Sequence, residues 1–216
     1  FHDWLEIELL HHTDRPVPLA EGVLDRNGVY EFLDPDGNRQ TTQLLAPGTV
    51  YQRKREPSSQ DVIVPLVRQL VNDSPAERVI IFRNQRGSAQ GAAGYLADEL
   101  GLAAADAVIV ELPEQDLSAV SHDLRHCLRG GTAFHTSNLS KEERAAVERG
   151  FRDAGAGIHV LAATTTVAAG INTPASTVII AEHEFKGAQT QPYTVAEYKN
   201  MAGRAGRMGF AEQGRS

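Results

Sequence analysis

The sequence predicts an α/β protein in which a mostly parallel sheet is covered by helices on both faces. Short apolar runs alternate with longer segments whose apolar residues recur at helical spacing along most of the chain. Strands that alternate with helices in this way form parallel sheets, because each helix carries the chain back to the start of the next strand. The turn signals Asn-Gly and Asp-Gly occur only in the first forty residues, where they favour antiparallel strands.

The N-terminal part of the chain is predicted to form a β-hairpin. Residues 4–10 are compatible with a strand. Val17 to Leu24 and Val29 to Leu33 are apolar runs that flank the turn at 25–28, and residues 34–38 predict a second turn.

A polar segment, residues 47–59, predicts a connector or a surface loop. It contains the basic triplet 53–55, for which a solvated loop is favoured over a phosphate contact. The helical spacing that follows, from residue 62 to residue 71, includes Pro65, which either kinks this helix or marks its start.

Strands and helices alternate through the rest of the chain. The predicted strands are Val79 to Phe82, Thr132 to His135, Ile158 to Ala162 and Thr177 to Ala181. The predicted helices after the first run from Ser88, as the cap, to Leu100, from Leu117 to Leu128, from 141 to about 152, and from 195 through the arginines near the C-terminus. Ser140 and Thr194 stand three residues before a glutamate, which predicts capping boxes, and Gly101 predicts a helix end.

The composition argues against several classes of protein. At 216 residues, with 41% hydrophobic and 23% charged residues, the chain is ordinary for one soluble globular domain with at most an appendage. No apolar run approaches the ~20 residues that cross a bilayer. The single cysteine, Cys127, excludes an internal disulfide framework and suits a reducing cytoplasm, where we expect the protein. The eight histidines show no metal-ligand spacing, so we expect no structural metal.

The charge and the glycines bear on the ligand. A net charge of −7 argues mildly against a protein that coats nucleic acids, although it is compatible with a locally positive groove. Gly87, Gly91 and Gly94 have the spacing G-x-x-x-G-x-x-G, not the G-x-G-x-x-G of dinucleotide-binding proteins. We expect Gly91 and Gly94 to let a helix pack closely against the sheet.

Arg204 and Arg207 form the most informative pair of residues in the chain. They share one face if their segment is helical, and Gly203 and Gly206 beside them remove side chains that would hold off another backbone or a phosphate. Paired guanidinium groups suit phosphate oxygens, which arginine binds with two hydrogen bonds at once. From these residues alone, a solvated helix end with ordinary surface arginines is an equal alternative.

Residues 160–175, VLAATTTVAAGINTPA, precede residues 198–207, YKNMAGRAGR, by some thirty positions. The two segments in this order resemble motifs V and VI of superfamily 2 helicases, and most closely the Ski-two-like branch of the DExH group. Residues 15–24 are similar to the start of the second RecA-like domain in that branch. Residues 79–84 stand where motif IV belongs, and residues 133–144 look like the motif that follows it.

The resemblance covers almost the whole chain and implies a RecA-like fold. Residues 1–50 would lead out of a preceding RecA-like domain and include the β-hairpin, and residues 51–216 would form the second RecA-like helicase domain. No G-x-x-x-x-G-K-[ST] and no D-E-x-H sequence is present. We therefore expect ATP and Mg²⁺ to be bound mainly by the preceding domain, and the chain to be a piece of a longer protein.

The resemblance also implies the site residues. Arg204 and Arg207 would be catalytic arginine fingers at the γ-phosphate, expected at the carboxyl edge of the sheet. The other implied ATP-binding residues are Gly170, Asn172, Asn200, which replaces the family's usual Gln, and Gly203. The implied nucleic-acid-binding residues are Arg83, Asn84, Ser88, His135, Thr136, Thr164 and Thr166.

Two of these assignments have plainer alternatives. A histidine at a strand end, such as His135, is more often a packing residue than a ligand. The hydroxyl groups of Thr164 and Thr166 can cap a helix as well as serve a phosphate.

The implied function is that of an ATP-dependent helicase acting on single-stranded nucleic acid, with DNA favoured over RNA and no membrane involved. An ATP-driven translocase that separates no strands is one alternative. A degenerate RecA-like module that only binds other proteins is another.

Overall fold

The computed structural model describes residues 18–34, 36–115, 118–165, 175–185, 191–206 and 214–216. The strands among them are β1 (Leu19–Leu24), β2 (Val29–Leu33), β3 (Arg39–Gln43), β4 (Val79–Arg83), β5 (Thr132–His135), β6 (Val160–Thr164), β7 (Thr177–Ile180), β8 (Glu184–Phe185), β9 (Gln191–Pro192) and β10 (Gly214–Arg215). The α-helices among them are α1 (Gln60–Asp73), α2 (Arg86–Leu100), α3 (Asp106–Glu111), α4 (Ala119–Arg129), α5 (Lys141–Arg152) and α6 (Val195–Ala202).

Eight of these strands form one sheet in the order β3-β2-β1-β10-β7-β4-β6-β5. All neighbours from β1 to β5 in this order are parallel, whereas β1, β2 and β3 pair antiparallel with one another. The predicted fold class is therefore confirmed. Parallel neighbours also place all their carboxyl ends at one edge of the sheet, and Arg83 of motif IV and Thr164 of motif V lie at that edge.

The hairpin predicted from Asn27-Gly28 joins β1 to β2. Asp25 stabilises its turn, because the side-chain carboxylate accepts the backbone N–H groups of Asn27 at 2.9 Å and Val29 at 2.8 Å. Gly28 has φ 80°, the left-handed conformation that this turn requires. The second predicted turn joins β2 to β3. Strand β3 itself was not predicted, because all five of its residues are polar and exposed.

Helices cover both faces of the sheet, as predicted. Val79 and Ile81 of β4 belong to the apolar cluster that contains the buried face of α1. Ile80 and Phe82 point the other way, into the cluster that contains Phe151 of α5 and Met201 of α6. Strict alternation within a strand buried on both sides explains why β4 reads as a continuous apolar run.

Pro65 neither starts α1 nor ends it, because the helix begins five residues earlier. A proline has no N–H to donate to the carbonyl four residues before it, here that of Asp61. The guanidinium of Arg53 donates to that carbonyl instead, at 3.2 Å. The prediction that the basic triplet is solvated is therefore wrong for Arg53, whose side chain is 6% exposed, although Lys54 and Arg55 are exposed.

The start of α2 also differs from the prediction. Gln85 occupies the N-cap position without a side-chain capping bond, and Ser88 lies inside the first turn. Gly101 ends α2 in the left-handed conformation, as predicted. Close packing at Gly91 and Gly94 was a wrong expectation, because a Cβ at either position would meet no atom within 4 Å.

The other elements follow the sequence closely. The capping boxes at Ser140 and Thr194 are both formed and begin α5 and α6. Strand β6 lies two residues later than predicted, and α3 was not predicted, since six residues are too short to show helical periodicity. The possible strand at 4–10 lies outside the described residues.

Candidate functional site

The carboxyl ends of three adjacent strands bring several of the predicted nucleic-acid-binding residues together. Arg83 at the end of β4 is the register partner of Thr164 at the end of β6. His135 at the end of β5 is in turn the partner of Ala163 in β6. Residues that lie up to 81 positions apart in sequence therefore share one edge, where open α/β sheets bind ligands.

Arg83 is held by an acidic residue that the sequence did not single out. Its Nε donates to Glu182 Oε1 at 2.7 Å, and its Nη2 lies 2.6 Å from the same oxygen. The other oxygen of Glu182 accepts the backbone N–H of Asn84 at 3.2 Å. Two of the donors assigned to a phosphate are thus occupied by a carboxylate in this structure.

The N-terminal turn of α2 follows directly at the same edge. Its first N–H groups receive no side-chain cap from Gln85, and no acidic residue lies in the first turn. Such a turn carries partial positive charge that favours an anion. Arg86, which is exposed, adds a full positive charge and donates to Ser137 Oγ after β5 at 3.4 Å, while Ser88 lies half-buried one turn into the helix.

The side chains of His135 and Thr136 point into the protein. The His135 imidazole is 6% exposed, and its Nε2 lies 2.8 Å from a Glu148 oxygen of α5. Burial lowers the pKa of His135, with the Glu148 hydrogen bond acting in the opposite direction. Thr136 is fully buried and donates to Asn138 Oδ1. The His135 side chain thus packs against α5, and Ser137 and Asn138 are exposed in this loop.

Thr164 ends β6 with only 7% of its surface exposed. Thr166, Gly170 and Asn172, which complete the predicted motif V site, lie outside the described residues, as does Arg207.

Arg204 does not lie on a helix, which corrects the expectation that a helical face carries both arginines. Helix α6 ends at Ala202, and the N–H of Gly203 closes the helix by donating to Lys199 O at 2.9 Å. Gly206 follows with φ 60°, which turns the chain away from the helical path.

Arg204 also lies at the opposite edge from the expected one. Its carbonyl accepts the N–H of Ala175, two residues before β7 begins, at 3.1 Å. Helix α6 runs from the carboxyl end of β7 back towards the amino end of β7. Arg204, which follows α6, therefore lies at the amino edge of the sheet. The residue is 9% exposed, and Asn200 is exposed on α6.

Another backbone approaches this turn closely at Gly206. A Cβ on Gly214 of β10 would lie 2.7 Å from both the Cα and the N of Gly206. The turn around Arg204 is therefore packed against the strand that joins β1 to β7.

The described residues offer neither a metal cluster nor a membrane helix. They contain no group of three His, Cys, Asp or Glu side chains placed to hold a metal ion. None of the described helices is both long and apolar enough to cross a membrane.

Residues 62–209, more than half of the chain, match the helicase conserved C-terminal domain. The chain belongs to the helicase C-terminal domain family. Its relatives include the ATP-dependent DNA helicase Hel308 of Thermoplasma acidophilum, 34% identical over 212 residues and 98% of this chain. They also include Hel308 of Pyrobaculum calidifontis, 34% identical over 98% of this chain, and DNA polymerase theta of Mus musculus, 33% identical over 99% of it.

The chain covers 27% of the Thermoplasma protein, 28% of the Pyrobaculum protein and 8% of the polymerase. It therefore spans less than a third of the length of these relatives. The resemblance to the Ski-two-like helicases is confirmed over nearly the whole chain.

Glu182 and Arg86 are the functional candidates that sequence reasoning missed. Glu182 follows β7 as Arg83 ends β4, and β4 and β7 are neighbours. The signal that could have indicated Glu182 is its place as a polar residue directly after an apolar strand.

Proposed function

We propose that the chain is the C-terminal RecA-like half of an ATP-dependent DNA helicase. The observation that carries this proposal is the register of β4, β6 and β5, which gathers Arg83, Thr164 and the loop after His135 at one edge. Membership in the helicase C-terminal domain family supports the same reading.

The proposed strand-binding surface is the carboxyl edge of the sheet. The uncapped first turn of α2 with Ser88, the Arg86 guanidinium and the exposed Ser137 and Asn138 offer donors to successive phosphates. Phosphate contacts hold a strand without reading its bases, as a motor that moves along any sequence requires. Single-stranded DNA is favoured over RNA because the relatives named above are DNA helicases and a DNA polymerase.

The proposed nucleotide site is shared with a preceding RecA-like domain that binds ATP and Mg²⁺. This chain contributes Arg207 as the arginine finger, with Gly170, Asn172, Asn200 and Gly203 near the nucleotide. Arg204 has a different role in this proposal, since it is 9% exposed and its carbonyl is hydrogen-bonded to Ala175 just before β7. We assign it the support of the turn from which the chain continues to Arg207.

The proposed mechanism couples ATP binding and hydrolysis to movement along the strand. ATP binding closes the two domains, and Arg207 senses the γ-phosphate in the closed state. Hydrolysis reopens them, and alternate closing and opening advances the carboxyl-edge loops along one strand.

Arg207→Ala in the full-length protein tests the finger. We expect ATP turnover to fall by about 10³-fold or more with ATP binding retained, because the guanidinium stabilises charge that develops only in the transition state. Arg207→Lys should not restore turnover, since lysine lacks the two-pronged geometry. Turnover and nucleotide affinity are measured together with strand displacement.

The matched control is Arg149→Ala, which removes an exposed arginine that pairs with Glu111 on the helical layer. It should leave turnover unchanged. The 216-residue chain alone serves as the blank and should hydrolyse no ATP. Wild-type turnover in Arg207→Ala would end the assignment.

A further inference from the structure

Glu182 and Arg83 form a closely matched ion pair at the proposed strand-binding edge. They lie 99 positions apart in sequence, where Glu182 follows β7 and Arg83 ends the neighbouring strand β4. Glu182 Oε1 receives both Nε and Nη2 of the guanidinium, at 2.7 and 2.6 Å, while Oε2 receives the backbone N–H of Asn84 at 3.2 Å.

The surroundings of the pair strengthen the attraction between its two charges but leave both side chains partly exposed. The side chains of Arg83 and Glu182 are 12% and 17% exposed, so both remain in contact with solvent. Tyr95 and Tyr193 lie beside the pair, and burial raises the pKa of each hydroxyl to about 12. Both tyrosines are therefore neutral near pH 7, and the local low dielectric favours the contact between the two charges.

The carboxylate occupies the donors in the way that a phosphate would. Arginine binds carboxylate and phosphate through the same planar fork, and a backbone N–H at the start of a helical segment is a common third donor to either. Arg83 and the Asn84 N–H are two of the donors that the family resemblance assigns to a nucleic-acid phosphate.

We propose that Glu182 is a built-in competitor of the bound strand, holding Arg83 and the Asn84 N–H until a phosphate displaces it. This inference rests on the proposed function. Glu182 is then a positioning residue with two effects. It keeps the donors in place when no strand is bound, and it weakens the grip on a bound strand, which a motor must release at every step.

Glu182→Gln in the full-length protein tests the proposal. Glutamine keeps the size of the side chain and one acceptor oxygen but removes the charge that competes for Arg83. Affinity for a labelled single-stranded oligo(dT) should rise about three- to tenfold, as expected for removal of one competing charge contact. The slope of log K against log salt concentration should stay within about 0.7 of the wild-type value, which corresponds to one phosphate contact on a single strand, because Arg83 contacts the same phosphate in both proteins once the strand is bound.

A double-mutant cycle shows whether Glu182 acts through Arg83. In an Arg83→Ala background, Glu182→Gln should have no effect on affinity or on the salt slope, because the donor that it releases is gone. Glu111→Gln is the control for net charge. It removes the acidic partner of Arg149, an arginine near the C-terminal end of α5, and should not change the affinity for oligo(dT).

Several results would overturn the inference. Glu182→Gln with unchanged or weaker binding would do so, and so would a gain that persists without Arg83. If Glu182→Gln fails to fold by its thermal unfolding curve, Glu182→Asp replaces it. The shorter side chain lengthens the contact and should give a smaller gain of the same sign, and no gain counts against the proposal. A wild-type protein that binds no single-stranded nucleic acid would instead remove the proposed function itself.

Discussion

Asp61 has no exposed side-chain surface, and its carboxylate joins three segments of the chain. It accepts the backbone N–H of Ser58 at 3.0 Å and that of Arg53 at 2.9 Å, and it pairs with Arg26 Nη2 at 2.9 Å. Arg26 lies in the β1–β2 turn, Arg53 and Ser58 lie in the polar connector, and Asp61 itself lies in the first turn of α1. One side chain therefore ties the hairpin and the connector to the start of the helix.

Asp61→Asn is expected to destabilise the fold by about 1–3 kcal/mol at pH 7, because buried donors lose a charged acceptor. Burial raises the pKa of Asp61, but the hydrogen bonds from Ser58, Arg53 and Arg26 outweigh it and lower the pKa to about 2. The folded-state pKa is thus below the unfolded value of 3.8, so this stabilisation is complete above about pH 4 and is lost as pH falls towards 2.

Urea unfolding followed by circular dichroism at pH 7, 4 and 3 measures both effects. The Asn variant should lose less stability than the wild type between pH 4 and pH 3. Asp36→Asn, which removes an exposed carboxylate from the second turn, is the control. Equal stability of Asp61→Asn and wild type at pH 7 would contradict the role given to this carboxylate.

At the level of whole elements, the helix starts differ in how they are fixed. Ser140 accepts the N–H of Glu143, and the Glu143 side chain accepts the N–H of Ser140 in return. Helix α2 has no such arrangement, and its first turn is left open at the proposed strand-binding edge.

Ser140→Ala is therefore expected to cost about 1 kcal/mol of unfolding free energy, the usual loss of a helix cap. Ser88→Ala, in the first turn of α2 but not at its cap, should change stability by less than about 0.5 kcal/mol. Denaturant midpoints of the two variants are compared directly. A loss at Ser88 as large as that at Ser140 would show that Ser88 supports the start of α2 after all.

The elements that the sequence predicted well are those whose signals are local. Capping boxes, the Asn-Gly turn and buried strands such as β4 each depend on neighbouring residues. Strand β3 carries no apolar pattern, and the burial of Arg53 depends on the carbonyl that Pro65 leaves unpaired. Such features arise from contacts between distant segments, which a single sequence does not display.

In the candidate site, too, the sequence indicated the local features but not the contacts between distant segments. Arg83, Thr164 and His135 each end an apolar strand in the sequence, and the structure places these three at one carboxyl edge. The pairing of Arg83 with Glu182, the inward turn of His135 and the position of Arg204 at the amino end of β7 required the sheet order and the length of α6.

On the scale of the whole molecule, the two-residue strand β10 joins the hairpin to the rest of the sheet. It pairs with β1 on one side and with β7 on the other. Gly214 of this strand packs against Gly206 with no room for a side chain.

Gly214→Ala should destabilise the fold by about 1–3 kcal/mol, because the added methyl group meets main-chain atoms that cannot move aside. Gly91→Ala is the matched control. It lies in α2 with open space around it, and alanine should stabilise the helix by roughly 0.5–1 kcal/mol. Thermal unfolding compares the two, and a neutral Gly214→Ala would mean that β10 is not held by this contact.

Helix α6 also contacts this part of the sheet, because Lys199 Nζ lies 2.8 Å from a carboxylate oxygen of Glu21 in β1. The segment that carries Arg204 thus touches β10 through its backbone and β1 through an ion pair. Because these contacts end on β10 and β1, a displacement of α6 and the turn after it would strain both strands and the hairpin that β1 begins.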